Sequence, residues 1–300
     1  MSTETVDPRY VDLDVWPSMT AVEAMLEGQL AAIASLKSQT LAIAAAGEAA
    51  ALRLKAGGRL IYVGAGTSGR IAVQDGVELS PTFNWPSERL VFLMAGGPAA
   101  LTESAEGAED DAVAGAAAVR DAHVANQDVV IGVAASGRTP FTVAAVEEGR
   151  TAGALTVGIA NNPGTPLLGV VDHALLAETG SEVLAGSTRM KAGTAQKAVL
   201  NLLSTLTMVR CGLVYRGLMV DMRVSNDKLL KRGRTMVAEL AGVGEAAAAR
   251  ALDATGRDIK QAVLVAQGRS PGDAAAVLQN HAGNLREALM EVSEGDRIDA

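Results

Sequence analysis

Between residues 60 and 177 the chain alternates short apolar runs with longer stretches in which apolar residues recur at helical spacing. The runs fall at 60–63, 89–95, 128–134, 154–160 and 173–177 and are rich in valine, isoleucine and leucine. Apolar runs of this length, without polar alternation, predict strands buried on both faces, as in a parallel sheet. Helices are predicted at 68–79, at 98–124 with a break near Gly107, and at 140–151. A longer one follows over 188–210, with Ser187 or Thr188 as its cap. Strands alternating with helices require right-handed crossovers. The expectation is an α/β chain with a doubly wound, parallel five-stranded sheet.

The flanks carry a different pattern. Residues 1–17 are polar, contain Pro8 and Pro17, and are expected to wrap rather than pack. From Ser18 onward Val22, Met25, Leu26, Leu30, Ile33 and Leu36 keep helical spacing, which continues weakly through the alanine-rich 41–55. Beyond 236 there is no strand run, only short helical patterns at 236–254, 257–266, 271–280 and 283–291. The expected organisation is an N-terminal arm and helix over 1–57, a sheet domain over 58–235, and a small helical C-terminal domain over 236–300.

Two strand ends carry candidate chemistry. The first strand runs into Gly64-Ala65-Gly66-Thr67-Ser68-Gly69-Arg70, a glycine-rich turn opening a helix. Free backbone N–H groups, the positive end of a helix dipole and the hydroxyls of Thr67 and Ser68 together suit a phosphate. The same spacing satisfies a dinucleotide fingerprint, which needs an acidic residue at the end of the second strand. That strand ends in Gly96-Gly97-Pro98, so a dinucleotide is disfavoured. The third strand runs into Ala135-Ser136-Gly137-Arg138-Thr139-Pro140, again Ser, Gly and Thr ahead of a helix. Both turns read as walls of one pocket at the carboxyl edge of the sheet, with simple helix capping as the plainer alternative.

Composition narrows the partners. The 300 residues carry a net charge of −8, spread along the chain, which argues against nucleic acid and anionic membrane. Cys211 is the single cysteine, so neither an intrachain disulfide nor a cysteine metal cluster is expected. No apolar run is read as approaching the ~20 residues of a membrane span, and a cytoplasmic location is expected. His123, His173 and His281 fall outside every motif.

Several stretches resemble a known family. Residues 64–70, Ala135-Ser136-Gly137-Arg138-Thr139 and 181–188 resemble the sugar-phosphate-binding segments of the sugar isomerase (SIS) fold. Within that fold the chain looks like the N-acetylmuramic acid 6-phosphate etherases. The matching segments are 75–82 (Asp-Gly-Val-Glu-Leu-Ser-Pro-Thr), 106–110 (Glu-Gly-Ala-Glu-Asp) and the highly specific 186–197. The resemblance spans about 55–230, and the helical tail fits as well. Two departures stand out: Val6-Asp7-Pro8-Arg9-Tyr10 in the N-terminal arm, and Gly76 and Leu79 around Glu78, where the family more often has Ala and Cys.

The resemblance implies a lyase, without cofactor or metal, acting on a small sugar phosphate. It implies elimination of D-lactate from C3 of the open-chain sugar, then water addition, giving N-acetylglucosamine 6-phosphate. It also implies Glu78 as the acid for the departing lactate oxygen and then the base for water, with Glu109 as the second carboxylate, taking the C2 proton. Thr67, Ser68, Ser136 and Thr139, with N–H groups of Gly137 and Arg138, are the expected phosphate contacts. Glu182, Ser187 and Thr188 are expected at the sugar, the last two equally readable as helix caps. Read from charge alone, Glu78 is an ordinary helix-end glutamate, and Glu109 belongs to a solvated acidic face. Alternatives are a sugar-phosphate isomerase of the same fold or a non-catalytic sugar-phosphate sensor. Surplus apolar surface on the N-terminal helix and on 188–210 leads us to expect a homodimer.

Overall fold

A computed structural model of the chain describes residues 2–103 and 105–298. Five parallel strands form one sheet: β1 (Leu60–Gly64), β2 (Leu90–Met94), β3 (Val129–Ala134), β4 (Leu155–Ala160) and β5 (His173–Leu176), in the order β2-β1-β3-β4-β5. Every residue of β1, β3 and β4 is buried, which accounts for their continuous apolar pattern. The expected α/β fold with a doubly wound, parallel five-stranded sheet is the one observed.

The chain divides into two compact units, residues 1–77 with 87–207 and residues 78–86 with 208–300. In the first, α1 (Ser18–Ala34) and α2 (Thr40–Lys55) precede β1, and α3 (Gly66–Val77) follows it. The short α4 (Leu79–Phe83) belongs to the second unit. α5 (Ala112–Asp121), α6 (Pro140–Thr151) and α7 (Pro166–Gly169) cover one face of the sheet, where Ile61, Val63 and Val130 pack with Val119, Phe141, Val146 and Leu167. On the opposite face α3 lies on Tyr62 and Phe92, held there by Gly76. α8 (Lys191–Arg210) is the longest helix and is tied to α3 by side-chain hydrogen bonds.

The second unit is all helical. α9 (Asp227–Ala241), α10 (Glu245–Ala254), α11 (Ile259–Ala266), α12 (Pro271–Asn280) and α13 (Leu285–Ile298) surround a core of Met236, Leu252, Val263, Leu278 and Leu285. Its Asp221 carboxylate pairs with Lys260 at 2.7 Å beside a cavity of about 320 Å³ that Arg223 and Arg257 also line. Burial raises the Asp221 pKa to about 6, against the Lys260 charge and hydrogen bond, which lower it.

Two expectations need correction, and one expected boundary meets a helix. The helix predicted over 98–124 is confined to α5. Gly97 and Gly107 take positive φ, and the Asp111 side chain starts a new helix by accepting the Ala114 N–H at 2.8 Å. The boundary at 235/236 falls inside α9, whose first turn is capped by Asn226. Finally, the run 18–55 does have the length and apolarity of a membrane span, with a mean hydropathy of 1.3 over its most apolar window. Part of it is accounted for in the fold, where Ile43, Ala46, Ala50 and Leu54 of α2 are buried.

Candidate active site

The turn after β1 is built by close backbone approach. A Cβ at Gly64 would lie 2.7 Å from the Gly69 Cα, so strand end and helix start can meet only as glycines. α3 therefore begins at Gly66, directly at the sheet edge, with Thr67 half-buried and Ser68 buried at 8% exposure. Thr67 also approaches the first turn of α8. A Cβ at Gly193 would meet the Thr188 carbonyl at 3.3 Å and the Thr67 methyl at 3.7 Å. The first and third of the expected binding segments thus come together at Gly193.

The turn after β3 sits on the neighbouring strand, since Gly64 and Val133 are partners in the sheet. Gly137 holds φ +61 with Thr165 packed against it, leaving no room for a side chain. The turn satisfies its own donors. The Gly137 N–H donates to the Ala134 carbonyl at 2.9 Å, and the Arg138 N–H to Ser136 Oγ at 3.1 Å. The hydroxyl-bearing Ser136 and Thr139 are half-buried and the Arg138 side chain is exposed.

Behind these turns lies a buried polar network that the sequence reading missed. The Asn162 side chain donates to the Ala135 carbonyl at 2.9 Å and to Thr3 Oγ1 at 3.0 Å, and the Thr3 carbonyl accepts the Gly186 N–H at 3.0 Å. Thr3 is fully buried, so the N-terminal arm fastens the second binding segment to the third. Asn161 links the Ala177 carbonyl at 2.8 Å to the Gln196 amide at 2.9 Å. Asparagines after a strand read as turn formers, and nothing local marks them as buried.

Glu182 is turned inward, onto the start of α8. Its carboxylate is fully buried and accepts the N–H groups of Lys191 at 2.9 Å and Ala192 at 2.8 Å. It caps α8, which begins at Lys191 rather than at Thr188. Ser187 and Thr188 form the half-buried turn before the helix, and their hydroxyls make no hydrogen bond among the described residues. Lys191 donates to the Ser181 carbonyl at 2.7 Å, and burial lowers its pKa below the usual lysine range. A second buried acid, Asp75, accepts from Tyr62 Oη at 3.1 Å, Asn201 at 2.6 Å and Ser204 at 3.2 Å, joining α3 to α8. Burial raises its pKa, although these three hydrogen bonds lower it.

Of the two catalytic candidates, Glu109 lines a cavity of about 320 Å³ together with Glu106, Gly66 and Arg70. The cavity is large enough for a monosaccharide phosphate. Glu109 stands in a single 3₁₀ turn, Ala108–Asp110, with its side chain exposed. Glu78 follows α3 directly and is exposed at the start of α4, where its carbonyl accepts the Thr82 N–H.

The sequence matches two family models. The glucokinase regulatory protein N-terminal SIS domain covers residues 42–149, and the SIS domain covers 111–206. An N-acetylmuramic acid 6-phosphate etherase from Deinococcus radiodurans is 48% identical over 290 residues, 96% of this chain and 95% of the relative. One from Rubrobacter xylanophilus is 47% identical over 290 residues, 96% of both chains. Among solved structures, a phosphoheptose isomerase from Francisella tularensis matches with a TM-score of 0.45 at 18% identity, covering 65% of this chain and 98% of that one.

Proposed function

The chain belongs to the N-acetylmuramic acid 6-phosphate etherases, and from that premise we propose how its residues divide the work. The enzyme is a carbon–oxygen lyase. It cleaves the D-lactyl ether of N-acetylmuramic acid 6-phosphate by elimination, then adds water to give N-acetylglucosamine 6-phosphate and D-lactate.

Thr67, Ser68, Ser136 and Thr139 hold the phosphate through their hydroxyls, with the Arg138 guanidinium adding charge. Gly137 contributes the shape of the turn. Ser187 and Thr188 face the sugar, and Glu182 serves the site by holding α8 in place rather than by touching substrate. The C2 proton is acidified by the neighbouring C1 aldehyde and leaves to Glu109. Glu78 protonates the departing lactate oxygen, which would otherwise leave as a strongly basic alkoxide, and then deprotonates the water that adds at C3, while Glu109 returns a proton to C2. A cytoplasmic homodimer completes the reading, supported by the apolar residues that α1 leaves exposed.

The observation that carries this reading is the shared cavity, in which Gly66 of the phosphate turn and Glu109 form parts of one wall. A phosphate bound at the turn spends its binding energy on placing the reacting carbons against the carboxylate. Removing it should therefore cost turnover as well as affinity. The test is D-lactate release from N-acetylmuramic acid with and without the 6-phosphate. A large drop in kcat/KM for the unphosphorylated sugar supports the assignment of these turns, and comparable values contradict it. Interconversion of a 2-hydroxy aldose phosphate with its ketose, with no lactate released from N-acetylmuramic acid 6-phosphate, would favour an isomerase.

A further inference from the structure

Arg70 closes the phosphate turn, yet the roles assigned above leave it unused. Its guanidinium reaches out of α3 to the segment that joins β2 to α5. Nε donates to the Ala100 carbonyl at 3.0 Å and the Leu101 carbonyl at 3.2 Å, and Nη2 to the Glu103 carbonyl at 2.8 Å. All of its described partners are backbone carbonyls, so the side chain holds a stretch of chain rather than a counter-charge.

The held stretch leads into Glu109. On the far side of Glu109, Asp111 fixes the chain again by capping α5. Between the two anchors Ala105 rests on Gly96, where an added Cβ would come within 2.4 Å of it. Arg70 and Glu109 also line the same cavity. Among its described residues the segment has little regular structure, only the turns Pro98–Leu101 and Ala108–Asp110. The Arg70 fork ties it to the phosphate turn, alongside the Ala95 N–H that donates to the Gly64 carbonyl at 3.0 Å and the packing of Ala108 against the sheet core. A lysine has the charge but not the planar set of donors that reaches these carbonyls together.

We propose that Arg70 is a positioning residue that locks the phosphate turn and the Glu109 segment into one piece, so that phosphate binding sets where Glu109 stands against C2. This rests on the reading of Glu109 as the C2 base. Arg70 itself transfers no proton.

The test compares the parent enzyme with Arg70→Lys, Arg70→Ala and Glu109→Gln. Affinity for N-acetylglucosamine 6-phosphate is measured by calorimetry. Exchange of its C2 hydrogen in deuterated water is followed by NMR at saturation. The expected result for both Arg70 variants is little change in affinity with exchange slowed roughly tenfold to a hundredfold, the cost of misplacing a reacting group by about 1 Å. Parental exchange in both Arg70 variants, with exchange lost in Glu109→Gln, overturns the clamp alone. Equal losses of affinity and exchange in the Arg70 variants also overturn it, because the effect is then general damage to the site. Undiminished exchange in Glu109→Gln overturns the base assignment and with it the route through Glu109.

Discussion

Glu182 shows how a functional segment hides a structural residue. It lies in the segment 181–188 that resembles a sugar-binding loop, yet both of its oxygens accept amides from the start of α8. A buried carboxylate at a helix N-terminus satisfies orphan donors and complements the helix dipole. Glu182→Gln turns one acceptor into a donor facing an N–H. It should cost about 1–3 kcal/mol, the range for leaving a buried hydrogen-bonding group unsatisfied. Urea unfolding reads this directly, and an unchanged midpoint would contradict the capping role. The sequence could not show this cap, because it stands nine residues upstream of the helix it serves. Capping patterns look one to three residues away. Ser68 and Ser136 drew notice for the opposite reason. Each follows closely on a strand with a continuous apolar pattern, β1 or β3, and the phosphate role given to them belongs to the proposal above.

Among the elements, the strands were easiest to read, because burial on both faces leaves a continuous apolar run. The alanine-rich stretch after β2 was hardest. Alanine favours helix everywhere, so its spacing does not reveal that Gly97, Gly107 and the Asp111 cap confine the helix to α5. That confinement frees the segment carrying Glu109 to follow the sheet edge. α1 raises a further point. Met19, Val22, Leu26, Leu30 and Ile33 recur along one face and remain 46–73% exposed. An apolar stripe of this extent calls for a partner surface, and a second copy of the chain is the reading taken here. Sedimentation at micromolar concentration should show a dimer, and Leu26→Lys should shift it toward monomer. A monomeric parent protein, or one that partitions into lipid through the apolar 18–55 run, would contradict it.

For the whole molecule, the account reduces the chemistry to two carboxylates, each of which gives up and takes one proton in turn. Composition carries none of this, since Glu109 stands in an exposed acidic stretch and Glu78 is a single exposed carboxylate between Val77 and Leu79. Only the motif around each marked them, and the cavity then joined Glu109 to the phosphate turn. The measurement that tests the account most directly follows Glu78→Gln and Glu109→Gln with N-acetylmuramic acid 6-phosphate in deuterated water, reading lactate release and deuterium at C2 together. For Glu78→Gln the account predicts that lactate release falls roughly 10²–10⁴-fold, the usual contribution of one general acid or base, while deuterium still enters C2. For Glu109→Gln it predicts the loss of both. Exchange lost in Glu78→Gln and retained in Glu109→Gln would reverse the two roles, and parental lactate release by both variants would contradict the mechanism itself.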